Sequence, residues 1–324
     1  MSLETEAVLD RRRMRRSIST WRIVAVIAAV IALGVVAMKA AGGRDETGLF
    51  ATHEIARVSL TGMITEDRKQ LALLNKIAKS PNVDAVILYV NSPGGTTAGG
   101  EALFEEIRRL ARKKPVVAQF GTIATSAAYI AGLATDHIIA HGNTITGSVG
   151  VIFQWAEVSE LLGKVGVKFN EVKSGPLKAV PSPFQPLDAA GRATTERMVA
   201  DSMNWFKGLV ATRRKIDTST VPGLEQGAIF SGREAIRYKL IDGIGGEREA
   251  IAWLETKRNI KKGLKVVDWK EKSSNTFGLL GLAGMAFRKV LGLDDLPFAG
   301  LGGSQSLNQL ANNGLVSIWQ PSER

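Results

Sequence analysis

The segment Asp84–Gly150 decides the reading of the chain. It opens with Ala85-Val86-Ile87-Leu88-Tyr89-Val90, runs into Asn91-Ser92-Pro93-Gly94-Gly95, and resumes after a helical stretch with the apolar run Pro115–Phe120. Ala124-Thr125-Ser126-Ala127-Ala128-Tyr129 follows, and Thr146-Gly147-Ser148-Val149-Gly150 closes the segment. The pattern is strand, glycine turn, helix, strand, and then a serine at the start of a further helix. A Pro-Gly-Gly turn at the carboxyl end of a strand can present backbone N–H groups to a cleft. A serine entering a helix beside it can be a nucleophile, so the two together suggest an oxyanion hole and its attacking group.

Outward from this segment the same alternation continues. His53–Leu60 reads as a strand, Thr61-Gly62 as a turn, and Glu66–Lys79 as an amphipathic helix with Leu71, Leu74, Ile77 and Ala78 on one face, stopped by Pro81. The strands are too continuously apolar for a sheet with a wet face. That predicts an α/β fold with mainly parallel strands covered on both sides. Reactive groups in such sheets gather at the strand carboxyl ends, where Gly94-Gly95 falls. Asp188–Arg214 reads as a helix with Met198, Val199, Met203, Phe206 and Val210 on one side, suited to the core or to an interface.

Composition limits the chemistry. The chain has 324 residues, 45% hydrophobic and 23% charged, with no cysteine and three histidines, His53, His137 and His141. Disulfides, thiolate nucleophiles and thiolate metal sites are thereby excluded, and no histidine spacing suits zinc. No cofactor is expected. The net charge is +11, yet six arginines of the excess (Arg11, Arg12, Arg13, Arg15, Arg16 and Arg22) crowd the N-terminus. With no basic stripe interleaved with aromatics, nucleic acid is not expected as a partner.

Those arginines precede an uncharged apolar run, Ile23–Met38, which extends to Gly43 if Lys39 snorkels. As a helix that span is about 30 Å long, enough to cross a bilayer. The flanking charge places residues 1–22 in the cytoplasm and everything after Gly43 on the extracytoplasmic, periplasmic side of the inner membrane. The rival reading is a cleaved signal peptide, since Ala40-Ala41-Gly42 offers a small-x-small site. The expected organisation is residues 1–22 basic, 23–43 transmembrane, 44–52 linker, 53–270 the catalytic core domain and 271–324 a Gly/Leu-rich, partly ordered tail.

Ser126 has a plainer reading, because Thr125 or Ser126 could simply cap the helix Ala127–Leu133. As a nucleophile it needs a base. His137 and His141 bracket the strand Ile138-Ile139-Ala140, and a lone histidine at a strand end is more often structural. A lysine can serve only when neutral, which burial favours. Lys178, in Gly175-Pro176-Leu177-Lys178-Ala179-Val180-Pro181, has no other charge within four residues on either side, whereas Lys173 has Glu171 two residues away. An exposed loop lysine is the alternative for Lys178.

Taken in order, Asn91-Ser92-Pro93-Gly94-Gly95, Ala124–Ile130, Ile145–Val151 and Lys173–Lys178 resemble the signal peptide peptidase A family. These are membrane-anchored serine–lysine proteases related in fold to Clp protease and the crotonases, with a core of repeated strand-strand-helix units. The resemblance spans roughly Ile55–Thr256. It implies Ser126 as nucleophile, Lys178 as general base, the Gly95 N–H in the oxyanion hole and Ser148 as the hydroxyl that orients the lysine. It further implies peptide substrates such as signal-peptide remnants, and a homo-oligomer in which serine and lysine come from neighbouring protomers. Two departures stand out: Ala127-Ala128 where the family has Gly-Gly, and Ala179 where it commonly has aspartate. A catalytically silent scaffold of the same fold, a Ser-His hydrolase using His137 or His141, and a crotonase-type acyl-CoA enzyme are the competing functions. For the tail beyond Lys272, an interfacial piece, a segment packed on a neighbour or in the active-site groove, and disorder all remain open.

Overall fold

The computed structural model describes residues 52–270, together with Trp21 and the short strand Val316–Ile318. The expected membrane span at 23–43 and most of the tail lie outside the described residues. Among the described residues, no helix is long and apolar enough to cross a membrane.

The architecture is mixed α/β. One sheet holds β1 (Glu54–Ile64), β2 (Val83–Thr96), β3 (Val116–Thr125), β4 (His137–Ala140), β5 (Ile145–Gly147), β6 (Ile229–Ser231), β7 (Gly243–Ile244), β8 (Lys265–Asp268) and β9 (Val316–Ile318). Its main path runs β6-β5-β3-β2-β1-β8, and β4 pairs with β3 and β7. The pairs β8–β1–β2–β3 are parallel, as are β3–β4, β3–β5 and β4–β7; among the described residues only β5–β6 and β2–β9 are antiparallel. The expectation of mainly parallel strands therefore holds.

Continuous apolar strands need cover on two faces, and two buried clusters supply it. On one face Val86, Leu88, Val90, Ala118 and Phe120 pack with residues of α1 (Arg68–Lys79), α2 (Thr97–Ala111), α3 (Ala127–Leu133) and α5 (Ala189–Arg214). On the other, Ile55, Ala85, Ile87, Val117 and Ile139 pack against Ala250 and Leu254 of α7 (Glu247–Lys257). Two short helices, α4 (Ser159–Lys164) and α6 (Gly232–Arg237), complete the set. Within α5, Phe206 and Val210 are buried while Met198 is exposed, so the helix serves the core at its carboxyl half only.

Several boundaries differ from the sequence reading. Helix α1 starts at Arg68, because the Asp67 side chain accepts the Lys69 N–H as N-cap. Thr61-Gly62 does not end β1. The strand continues to Ile64 past a register shift between Thr61 and Met63, with Gly62 at φ 73° absorbing the irregularity. Likewise Asn91–Gly95 is not a compact turn: β2 runs on to Thr96, held by Met63 and Ile64 of β1.

At the centre of the core, the fully buried Tyr129 donates its hydroxyl to the Leu240 carbonyl at 2.8 Å, and burial pushes its phenol strongly up in pKa. Tyr129→Phe leaves that carbonyl without a donor and is expected to cost about 1–2 kcal/mol. The check is a lowered urea midpoint at unchanged slope.

Candidate active site

Three adjacent strand ends assemble the site. The β2–β3 register sets Ser92 opposite Ala124, and the β3–β5 register sets Thr125 opposite Gly147. Gly94-Gly95, Ser126 and Ser148 thus lie at the carboxyl ends of three neighbouring strands, two of them directly after their strand ends. The parallel sheet brings these candidates together because parallel strands end on the same side.

Ser126 stands at the N-cap position of α3, yet its side chain makes no capping hydrogen bond. Its backbone is at φ 57°, ψ −121°, a region that costs a non-glycine residue on the order of 1–3 kcal/mol. The N–H of Ser126 donates to Gly147 O at 2.9 Å, and its carbonyl accepts the Ile130 N–H at 3.0 Å to begin the helix. Thr125, the other capping candidate, sends its hydroxyl to the Pro93 carbonyl at 3.0 Å. The capping reading therefore fails for both, and Ser126 is held in a strained conformation between a strand and a fully buried helix.

The glycine segment is fixed from several sides. A Cβ on Gly95 would sit 1.8 Å from the Ile64 carbonyl oxygen, so only glycine fits there. Gly94, at φ 111°, donates its N–H to Ser92 Oγ at 3.1 Å. The Asn91 side chain accepts the N–H groups of Thr122 and Ile123 at 3.0 and 3.2 Å, securing β3 to β2 just before the serine. Ser148 is nearly buried, at φ 52°, with its N–H on Ala228 O at 2.8 Å. The sequence reading gave Ser92, Thr125 and Asn91 no part in holding the site together. Their signal was polar residues in otherwise apolar strand ends.

The lysines are placed differently. Lys178 is exposed on the loop between α4 and α5, in contrast to the fully buried Ser126. In the single chain it lacks the apolar enclosure that a neutral lysine needs. Lys173 is ion-paired with Glu171 at 2.5 Å, as its sequence neighbourhood implied.

Neither histidine is brought to Ser126. His137 pairs with Val117, nine residues before Ser126 on β3, about 30 Å away along the strand. Its ring stacks on Trp253 at 4.6 Å, and Nδ1 lies 3.7 Å from the Asp242 carboxylate. His141 is exposed, its ring against Gly246 beyond β7. A Ser-His pair built on either residue has no geometric support.

The strand Val316–Ile318 pairs antiparallel with β2, setting Ile318 opposite Gly94, Ser317 opposite Gly95 and Val316 opposite Thr96. Since β1 holds the other side of Gly94 and Gly95, β9 lies on the side that β3 occupies further back along β2.

The sheet thus gathers a strained serine, a glycine segment and buried hydroxyls at neighbouring strand ends, and comparison with known proteins specifies the class and family. The model for peptidase family S49 matches residues 108–261. A Synechocystis sp. protein named as a candidate protease is 33% identical over 204 residues, covering 63% of this chain and 74% of that protein. The chloroplastic serine protease SPPA of Arabidopsis thaliana is 28% identical, covering 78% of this chain and 38% of its own. Protease 4 of Haemophilus influenzae is 32% identical over 61% of this chain, which spans about a third of that longer protein (32%). Among solved structures, the 1510-N membrane-bound stomatin-specific protease is similar at TM-score 0.44 and 15% identity, covering 68% of this chain and 99% of that one. The chain belongs to peptidase family S49, the signal peptide peptidase A family.

Two outcomes test this geometry. Gly95→Ala is expected to destabilise the fold by about 1–3 kcal/mol, because the β2–β1 backbone contact must open, and to remove peptidase activity. The second concerns His137, whose pKa burial lowers against the opposing pull of Asp242. The unfolded chain then binds more protons than the folded one below the ordinary value of about 6.5. Stability should therefore fall as pH drops from that value through the depressed one. His137→Phe keeps the stack on Trp253 and should flatten this part of a stability-against-pH curve without loss of activity.

Proposed function

We propose that this peptidase is a membrane-anchored serine endopeptidase working with a Ser126/Lys178 dyad. The observation that carries the reading is the strained, non-capping Ser126 beside a glycine segment that tolerates no side chain. Neutral Lys178 takes the proton from Ser126 Oγ as the oxygen attacks a peptide carbonyl, and returns it to the leaving amine. The Gly95 N–H stabilises the tetrahedral oxyanion. Ser148 orients the lysine amine, and as a neutral hydroxyl it does so without favouring the protonated form as a carboxylate would.

Because Lys178 is exposed in the single chain, its enclosure comes from a neighbouring protomer in a homo-oligomer. The loop that bears it supports this. Val165, Val167, Val172 and Leu177 are exposed there, an apolar load that a second copy would bury. The substrate is an extended peptide, of the kind left by signal-peptide cleavage, docked strand-wise beside Gly94–Thr96. The catalytic domain lies on the periplasmic face of the inner membrane, tethered by residues 23–43. The related serine protease SPPA of Arabidopsis and Protease 4 of Haemophilus are consistent with the peptidase class.

Peptide cleavage by the full chain tests the dyad. Ser126→Ala and Lys178→Ala should each lower kcat by at least about a thousandfold, while Lys173→Ala and His137→Gln leave it within a few-fold. Wild-type activity should rise with pH, since only an unprotonated amine can accept the serine proton. Full activity in Lys178→Ala would remove the lysine from the mechanism.

A further inference from the structure

Two buried hydroxyls outside the dyad meet at the glycine segment, and neither has a role so far. Thr125 and Ser92 are both completely buried. The Pro93–Gly94 peptide unit is held at both ends: its carbonyl accepts the Thr125 hydroxyl at 3.0 Å, and its N–H donates to Ser92 Oγ at 3.1 Å. The next unit, Gly94–Gly95, has its carbonyl oxygen 3.4 Å from the same Ser92 Oγ. In a planar trans peptide the C=O and N–H point in opposite directions, so fixing a carbonyl fixes the amide across from it.

We propose that Ser92 and Thr125 are positioning residues: together they clamp the peptide planes on either side of Gly94 and so aim the Gly95 N–H at the oxygen of the carbonyl that Ser126 attacks. The inference rests on the peptidase reading above. Gly94 needs such a clamp, because a glycine at φ 111° has no side chain of its own to restrict it. Thr125 also precedes the nucleophile directly, so its hydrogen bond ties the strand end that carries Ser126 to the segment that carries the oxyanion donor. That side chain adds to the β2–β3 ladder and the Asn91 contacts in setting the spacing between the two halves of the site. Both hydroxyls are sealed from solvent, so water cannot replace a lost bond.

The test separates positioning from plain structural support. Thr125→Val keeps the shape and removes the donor, Thr125→Ser keeps the donor, and Ser92→Ala removes the second arm. Each full-length variant is assayed for kcat and KM on a peptide. Each is also titrated with a peptide aldehyde, which forms a hemiacetal with the serine and places its oxygen at the oxyanion position, and with the matching peptide alcohol, which binds without an adduct. Thr125→Val is expected to lower kcat about tenfold to a hundredfold, less than outright loss of a donor, with KM within about twofold. Aldehyde affinity should fall in step with kcat while alcohol affinity holds, and Thr125→Ser should recover most of the loss. Should Thr125→Val fold poorly, Ser92→Ala must show the same split. Unchanged kcat in both variants, or equal loss of aldehyde and alcohol binding with no rescue by serine, overturns the clamp while leaving the dyad intact. A wild type that neither cuts peptide nor takes up aldehyde overturns the peptidase reading and the clamp together.

Discussion

The approach of the Ile64 carbonyl to within 1.8 Å of where a Gly95 side chain would begin is the constraint on which the site depends. It forces glycine at that position and lets β1 stay paired with β2 beyond the point where the β2–β3 register breaks. A strand that would otherwise have turned away at Pro93 is kept extended past the end of β3. The residues after Ser92 therefore run alongside Ser126 instead of folding back from it. Parallel pairing with β1 on one side and the Pro93 carbonyl's hydrogen bond with Thr125 on the other hold this stretch of β2 in place.

Much of this was legible in the residues. The helix Ala127–Leu133 stands where its sequence placed it, and the apolar run Ala85–Val90 proved to be a strand covered on both faces. What the sequence hid was the continuation of strands through glycine. Thr61-Gly62 and Pro93-Gly94-Gly95 carry turn residues, yet pairing between β1 and β2 overrides local preference there. The capping reading of Ser126 failed for a related reason. Cap propensity is a local quantity, whereas the Thr125 hydroxyl is claimed by a carbonyl 32 residues away in sequence.

The standing of Lys178 is the least legible point. Charge-free neighbours in sequence indicate only that no local partner keeps the amine protonated; they do not enclose it. In the single chain that enclosure is missing, and the lysine lies on a loop where Val165, Val167, Val172 and Leu177 face solvent. Apolar side chains dispersed along an exposed segment follow no helical or strand period, so a reading based on periodicity passes over them. His137 is the converse case: a chemically suggestive residue whose stacking on Trp253 and proximity to Asp242 belong to the opposite end of the sheet.

The pairing of Val316–Ile318 with Gly94–Thr96 has a consequence for traffic at the sheet's margin. An unpaired strand edge is a template for any extended chain, wanted or not. Here the margin is occupied from within, so an incoming strand must exchange with the resident one. Its apparent affinity is scaled by the fraction of molecules in which the margin stands open. Under the proposed docking mode, recognition at this edge is a competition in which Val316–Ile318 sets the threshold that a visiting peptide has to exceed.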